Sequence, residues 1–144
     1  MPAKHRNKDF VLLDHTADIG LIAFGRNLKE TFANAAKGMF SIITDLRRVK
    51  AIERRNVSVT AVDREALLVN WLNELVYLFD TENILVRKSE ITELGDTALK
   101  AFVYGEKIDL SRHPIKIGIK AVTYHMLKVE QRDSGYRVRV IFDI

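Results

Sequence analysis

Two stretches of this chain repeat their apolar residues at helical spacing, and most of what surrounds them alternates with period two. Leu28, Phe32, Ala35, Ala36, Met39, Phe40 and Ile43 fall on one face of a helix of about four turns, with Lys29, Glu30, Asn34 and Lys37 on the other. Leu67, Leu68, Trp71, Leu72, Leu75, Leu78 and Phe79 give a second helix a wide apolar face, with Asn70, Asn73, Glu74 and Asp80 mostly opposite. Each opens on a capping residue: Asn27, with Glu30 as its reciprocal partner, and Asp63. Around the helices, Phe10 to Leu13 and Asp18 to Gly25 read as apolar strands, the second apolar enough for the centre of a sheet. Val57, Val59 and Ala61 alternate with Ser58, Thr60 and Val62, while Thr44 to Asn56 reads as charged and irregular. Ile84 to Leu94 and Thr97 to Tyr104 flank the turn pair Gly95-Asp96. Ile115, Ile117, Ile119 and Ala121 alternate with Lys116, Gly118 and Lys120. Tyr124 to Gln131 and Tyr136 to Ile144 flank a hairpin signal, Arg132-Asp133-Ser134-Gly135. Two helices and about seven strands, in runs rather than strict βαβ alternation, predict an α+β fold. Its two amphipathic helices are expected on a largely antiparallel or mixed β-sheet, with room for a small inserted subdomain.

The length, 144 residues, suits one domain over residues 1–144, and a chain of that size buries roughly 68–70% of its unfolded surface without staples. No cysteine is present, which excludes a disulfide framework, a thiolate metal site and a cysteine nucleophile. No apolar run reaches the roughly 18 residues that a membrane helix needs. The basic N-terminus is followed only by Phe10 to Leu13, too short for a signal peptide, so a cytoplasmic location without membrane attachment is expected. Lys and Arg exceed Asp and Glu by 23 − 19, a net +4 that allows an RNA or acidic partner without requiring one.

Four stretches could carry chemistry. Asp14-His15-Thr16-Ala17-Asp18 packs two carboxylates, an imidazole and a hydroxyl into five residues. That oxygen density suits a hard cation such as Ca²⁺ or Mg²⁺, and it suits equally a turn in which Asp and Thr cap backbone amides. At the other end, an apolar strand runs to Ile144, setting the Asp143 side chain beside a terminal carboxylate. Adjacent negative charges there call for a cation or, since Arg137, Arg139 and Asp143 share a strand face, for a salt bridge. Lys120 lies opposite an apolar set, with Tyr124 and His125 at a strand boundary; a lone His and Tyr are more often structural than catalytic. Arg47 to Arg55 carries five cations in nine residues and no aromatic, so a base-stacking platform is not indicated and a solvated loop is expected. No P-loop, G-x-G-x-x-G, G-x-S-x-G or short zinc spacing among His5, His15, His113 and His125 is present.

Several of these residues carry a resemblance. Asp14-His15-Thr16-Ala17-Asp18-Ile19-Gly20 resembles the signature of the archease family. So do Lys120-Ala121-Val122-Thr123-Tyr124-His125 and the ending Val140-Ile141-Phe142-Asp143-Ile144. Leu67 to Leu75 and Tyr104-Gly105-Glu106 match as well, so the likeness runs from about Phe10 to Ile144. It implies an accessory protein of the RtcB-type RNA ligase in tRNA splicing, speeding guanylylation of the ligase and allowing multiple turnover, with no catalysis of its own. It implies a divalent metal site, with Ca²⁺ first and Mg²⁺ or Mn²⁺ as alternatives, held by Asp18, Asp143 and Ile144. Asp14, His15 and Thr16 are then expected to shape that site and Lys120 to meet a phosphate or the ligase. GTP would bind only at the ligase, and tRNA only through it. A chaperone for an RNA-modifying methyltransferase is the other role the resemblance allows. From the residues alone, a metal-dependent phosphohydrolase and a plain RNA-binding module stay open.

Overall fold

A computed structural model describes residues 9–14 and 18–144. In chain order the strands are β1 (Phe10–Asp14), β2 (Asp18–Gly25), β3 (Glu53–Thr60), β4 (Ile84–Leu94), β5 (Ala98–Lys107), β6 (Ala121–Arg132) and β7 (Gly135–Asp143). Helices α1 (Leu28–Ile43) and α2 (Arg64–Glu82) interrupt them, and a short 3₁₀ turn covers Leu46–Arg48. The α+β class is as expected, but the strands form two sheets. One has the order β1-β2-β7-β6 and the other β3-β5-β4, with every described pairing antiparallel. Period-two alternation says that a strand has a buried face; it does not say which strand lies beside it.

The helices join the sheets. α1 packs against β2 and against β4, and α2 packs against β6 and against β3. Leu21, Ala23, Val138, Val140 and Phe142 from the first sheet enter one continuous core with Leu85, Leu99 and Val103 from the second. Trp71 lies in it, fully buried, and its indole N–H donates to the Phe32 carbonyl 3.0 Å away, tying α2 to α1. The caps form as the sequence suggests: Asn27 Oδ1 accepts the Glu30 N–H at 2.8 Å and Asp63 Oδ1 the Ala66 N–H at 2.8 Å. Glu30 does not close the reciprocal bond onto Asn27. Its carboxylate accepts from the backbone N–H of Arg26, one residue earlier, at 3.0 Å.

Three segments differ from expectation. Ile115 to Lys120 alternates but forms no ladder, because its backbone bonds go elsewhere. Lys116 N–H donates to Ile43 at the end of α1 (2.8 Å), Lys120 N–H donates to Asp143 (2.8 Å), and Thr44 Oγ1 donates to the Pro114 carbonyl (2.8 Å). Residues 53–56, expected to be irregular, are the start of β3, paired with Gly105 back to Phe102. Charged side chains hide that strand, since the Arg54 guanidinium lies over the Phe102 ring and Arg55 reaches Glu82. In β6 the register jumps from Thr123 to Lys128, so Tyr124 to Leu127 bulge out against one residue of β7.

Gly105 marks where the second sheet comes closest to itself. A Cβ there would overlap the carbonyl oxygen of Leu85, beside the irregularity between Val86 and Lys88.

Candidate functional site

The first sheet brings the two ends of the described chain together. β2 and β7 are its central strands, and their register sets Asp18 directly opposite Asp143. Ile19, Leu21 and Ala23 of β2 and Val138, Val140 and Phe142 of β7 are buried against the helices. By alternation, Asp18 and Asp143 therefore share the other face. In the same row β6 supplies Ala121, paired with Asp143, and the N–H of Lys120 donates to the Asp143 carbonyl. In the next row Gly20 separates Leu13 from Ile141, where an added Cβ would sit 3.1 Å from Leu13 Cβ and 3.2 Å from Ile141 Cδ1. The missing side chain lets those two apolar groups close up beside the acids.

Asp18 is half-buried, and its Oδ1 atom is buried with no hydrogen-bond partner among the described residues. A buried carboxylate oxygen left in that state costs free energy unless something electropositive meets it. Like charges facing across a ladder add to that cost. The salt bridge that the strand face of Arg137, Arg139 and Asp143 suggested is not made. Arg137 pairs with Glu130, and Arg139 Nε donates to the Met126 carbonyl at 2.9 Å. Among the described residues no ion pair involves Asp18 or Asp143, and no group of three or more His, Asp or Glu side chains converges.

The remaining expected residues are distributed as follows. Ile144 follows Asp143 directly and is half-buried. Asp14 ends β1, paired with Ile19, one position from Asp18 on β2. His15 and Thr16 lie outside the described residues. Lys120 is exposed at the mouth of β6. Tyr124 and His125 occupy the β6 bulge and are exposed, as is Met126, whose φ of 53° is left-handed. That backbone is held by the Arg139 bond to the Met126 carbonyl and by the His125 N–H on Thr123 Oγ1 at 3.3 Å.

One supporting residue was hidden in the sequence. Asn73 sits on the polar side of α2, yet its amide reaches β6, the edge strand beside β7. Its Oδ1 accepts the Val122 N–H at 3.0 Å and its Nδ2 donates to the Val122 carbonyl at 3.4 Å. The side chain thus does what a neighbouring strand would do, and fixes β6 one residue from Ala121. The sequence signals were its place in the Leu67 to Leu75 family match and an uncharged amide where a solvated helix face more often carries Lys or Glu.

Arg47 to Ile52 is largely exposed, as a solvated loop was expected to be, but it is pinned at several points, and residues 53–55 belong to β3. Arg47 holds Asp45 through two bonds of 3.0 and 2.9 Å and keeps that carboxyl down at about 2. Lys50 N–H donates to Glu106 at 2.8 Å. Glu106 is buried, bonded also to Arg112 (2.7 Å) and to His113 Nε2 (2.9 Å), and the Arg112 guanidinium is the main cause holding its carboxyl down at about 2. His113 Nδ1 accepts the Asp109 N–H at 2.9 Å, so its proton lies on Nε2, aimed at Glu106 and the Arg48 carbonyl.

Among known proteins, the sequence model of the Archease protein family (MTH1598/TM1083) matches residues 10–144. The protein archease of Methanosarcina mazei is 39% identical over 148 residues, with all of both chains covered. The protein archease of Methanothermobacter thermautotrophicus is 41% identical over 140 residues, 95% of this chain and 99% of its own. The solution structure of Methanobacterium thermoautotrophicum protein 1598 superposes with a TM-score of 0.80 at 36% identity, covering 96% of this chain and 100% of that one. A crystal structure from Thermotoga maritima, described as "an archease, possible chaperone", shares the fold with a TM-score of 0.62 at 21% identity, covering 97% and 98%.

Proposed function

The chain belongs to the archease family, and we propose that it is an accessory activator of an RtcB-type RNA-splicing ligase in tRNA splicing. In this reading Asp18, Asp143 and a main-chain or carboxylate oxygen of Ile144 hold one divalent cation, Ca²⁺ first and Mg²⁺ or Mn²⁺ as alternatives. The observation that carries it is the buried, unpartnered Asp18 Oδ1 directly across the ladder from Asp143. Both arginines that could have neutralised the pair are engaged elsewhere. A hard cation would satisfy the orphaned oxygen and screen the facing carboxylates. When bound, it would supply positive charge for a phosphoryl group as the ligase is guanylylated.

The chain's own residues do the positioning. β2 and β7 present the acids, Gly20 keeps the adjoining row compact, and Asn73 locks the neighbouring strand. Asp14, His15 and Thr16 would orient the cation's ligands. Lys120, exposed beside the row, would meet a phosphate or an acidic group of the ligase. In this reading the chain positions a cation, and catalysis and GTP stay with the ligase.

Calorimetric titration of Ca²⁺ into wild type, Asp18→Ala and Asp143→Ala tests the cation. Each variant is expected to lose binding by at least about tenfold, the loss of one charged ligand being worth more than about 1.4 kcal/mol. Equal affinities would remove these residues from the site. Multiple-turnover ligation at sub-stoichiometric ligase tests the role: stimulation should fall with Asp143→Ala, and stimulation that survives intact would refute the cation's part in it.

A second reading, a chaperone for an RNA-modifying methyltransferase, draws on the description of the Thermotoga protein and on Tyr124 and Met126, apolar and exposed in one bulge. It predicts that the protein prevents client aggregation without any ligase, and that Tyr124→Ser with Met126→Ser abolishes this.

A further inference from the structure

Among the described residues, the second sheet has one face on the helices and one with no helix over it. Leu99, Ala101 and Val103 of the central strand β5 point into the core. Lys100, Phe102 and Tyr104 therefore lie on the outer face. Register sets Arg54 and Lys88 on either side of Tyr104, Asn56 and Glu90 on either side of Phe102, and Ser58 and Glu93 on either side of Lys100. The Arg54 guanidinium carbon lies 4.8 Å from the centre of the Phe102 ring, and Lys88 Nζ lies 5.3 Å from that of Tyr104. Both aromatics are only half-exposed because these cations cover them, while Arg54 and Lys88 are themselves exposed.

We propose that this outer face is a binding site for single-stranded RNA, with Phe102 and Tyr104 as stacking platforms and Arg54, Lys88 and Lys100 as phosphate contacts. Two aromatics two residues apart on the central strand of an antiparallel sheet stand about 6.8 Å apart on one side. That arrangement offers consecutive π-faces to unstacked bases, which is how sheet-based RNA modules take single strands. Arg54 and Lys88 can hold the rings while the face is empty and then turn to phosphate, or stay stacked on a base from its other side. Asn56, beside Phe102, offers donor and acceptor to a base edge. Glu90 and Glu93 share the face, and the 3.9 Å Glu93–Lys100 contact must open for Lys100 to reach a phosphate. The carboxylates limit the charge excess, so stacking rather than charge should dominate. A rigid duplex, with its bases inside, has no use for the two rings. The choice of RNA over DNA rests on the proposed role beside an RNA ligase; the stacking geometry does not.

The test is fluorescence anisotropy of a labelled RNA strand about ten nucleotides long, with the full chain and no ligase. The same strand as duplex and as DNA gives two further arms. Wild type should bind the single-stranded RNA at least tenfold more tightly than the duplex and more tightly than the DNA. Phe102→Leu with Tyr104→Leu keeps apolar bulk but removes the stacking faces, and should weaken RNA binding by about tenfold or more. Circular dichroism and the buried Trp71 fluorescence confirm that this variant is folded. Arg54→Gln should reduce the slope of log K against log salt by about 0.7. Duplex binding as tight as single-strand binding, or unchanged affinity in the folded double-leucine variant, overturns the proposal; DNA preferred to RNA overturns its choice of ligand. Because no ligase is present, failure here leaves calcium binding at Asp18 and ligase stimulation as separate results.

Discussion

At the scale of single residues, three carboxylates are held in unusual ways. Asp18 and Asp143 face one another without a described counter-charge, and one Asp18 oxygen is buried with no partner. With divalent ions removed by EDTA, Asp143→Asn should therefore raise the thermal midpoint by roughly 1–3 °C, the size of one relieved like-charge pair. Ca²⁺ should then raise the midpoint of wild type and not of the variant. A midpoint below that of wild type in EDTA would contradict this. Glu106 is held for the opposite reason, by Arg112, Lys50 N–H and His113. Its folded pKa, about 2, lies below its unfolded value. Its contribution is thus complete above about pH 4.5 and is lost as pH falls through about 2. Urea midpoints measured against pH should fall for wild type across that window, whereas Glu106→Gln should be less stable at pH 7 and flatter below pH 4.5. Asp18 was legible as a candidate because the sequence crowds oxygen ligands around it. Glu106 was legible only as part of a family tripeptide, since its partners come from two loops and reach it only in the folded state.

Elements were legible wherever their signal is local. Both helices, their caps and the Arg132 to Gly135 hairpin follow from spacing and side-chain chemistry within a few residues of each position. β3 was read late because its first residues are Glu53-Arg54-Arg55-Asn56, whose charged groups lie along the sheet and cover it. The alternation of Ile115 to Lys120 misled because a strand needs a partner, and this segment bonds instead to the end of α1 and the end of β7. The edge of β6 belongs to Asn73. Asn73→Leu should leave the Val122 N–H and carbonyl without their partner, destabilise by about 1–3 kcal/mol, and speed amide hydrogen exchange at Val122. Unchanged protection at Val122 would show that the amide bonds carry no weight there. Gly105→Ala should cost several kcal/mol, about 3 or more, because its Cβ has nowhere to go but into the Leu85 carbonyl.

For the whole molecule, the two sheets share one core through the helices, and Trp71 is its single tryptophan. Unfolding followed by Trp71 fluorescence and by far-ultraviolet circular dichroism should give coincident transitions. Trp71→Ala should destabilise by about 3–5 kcal/mol, and separate transitions for the two signals would mean that the sheets melt independently. The sequence alone determined the class of the fold, both helices with their starts, most strands, the exclusion of thiol chemistry and the family resemblance. All of these depend on residue types and on spacings of a few residues. Only the tertiary structure decided that there are two sheets, that Asp18 meets Asp143, that Asn73 completes an edge, and that Arg54 covers Phe102. Each of these joins residues far apart in the chain, and such pairings are selected by how whole faces bury together, which no local pattern records.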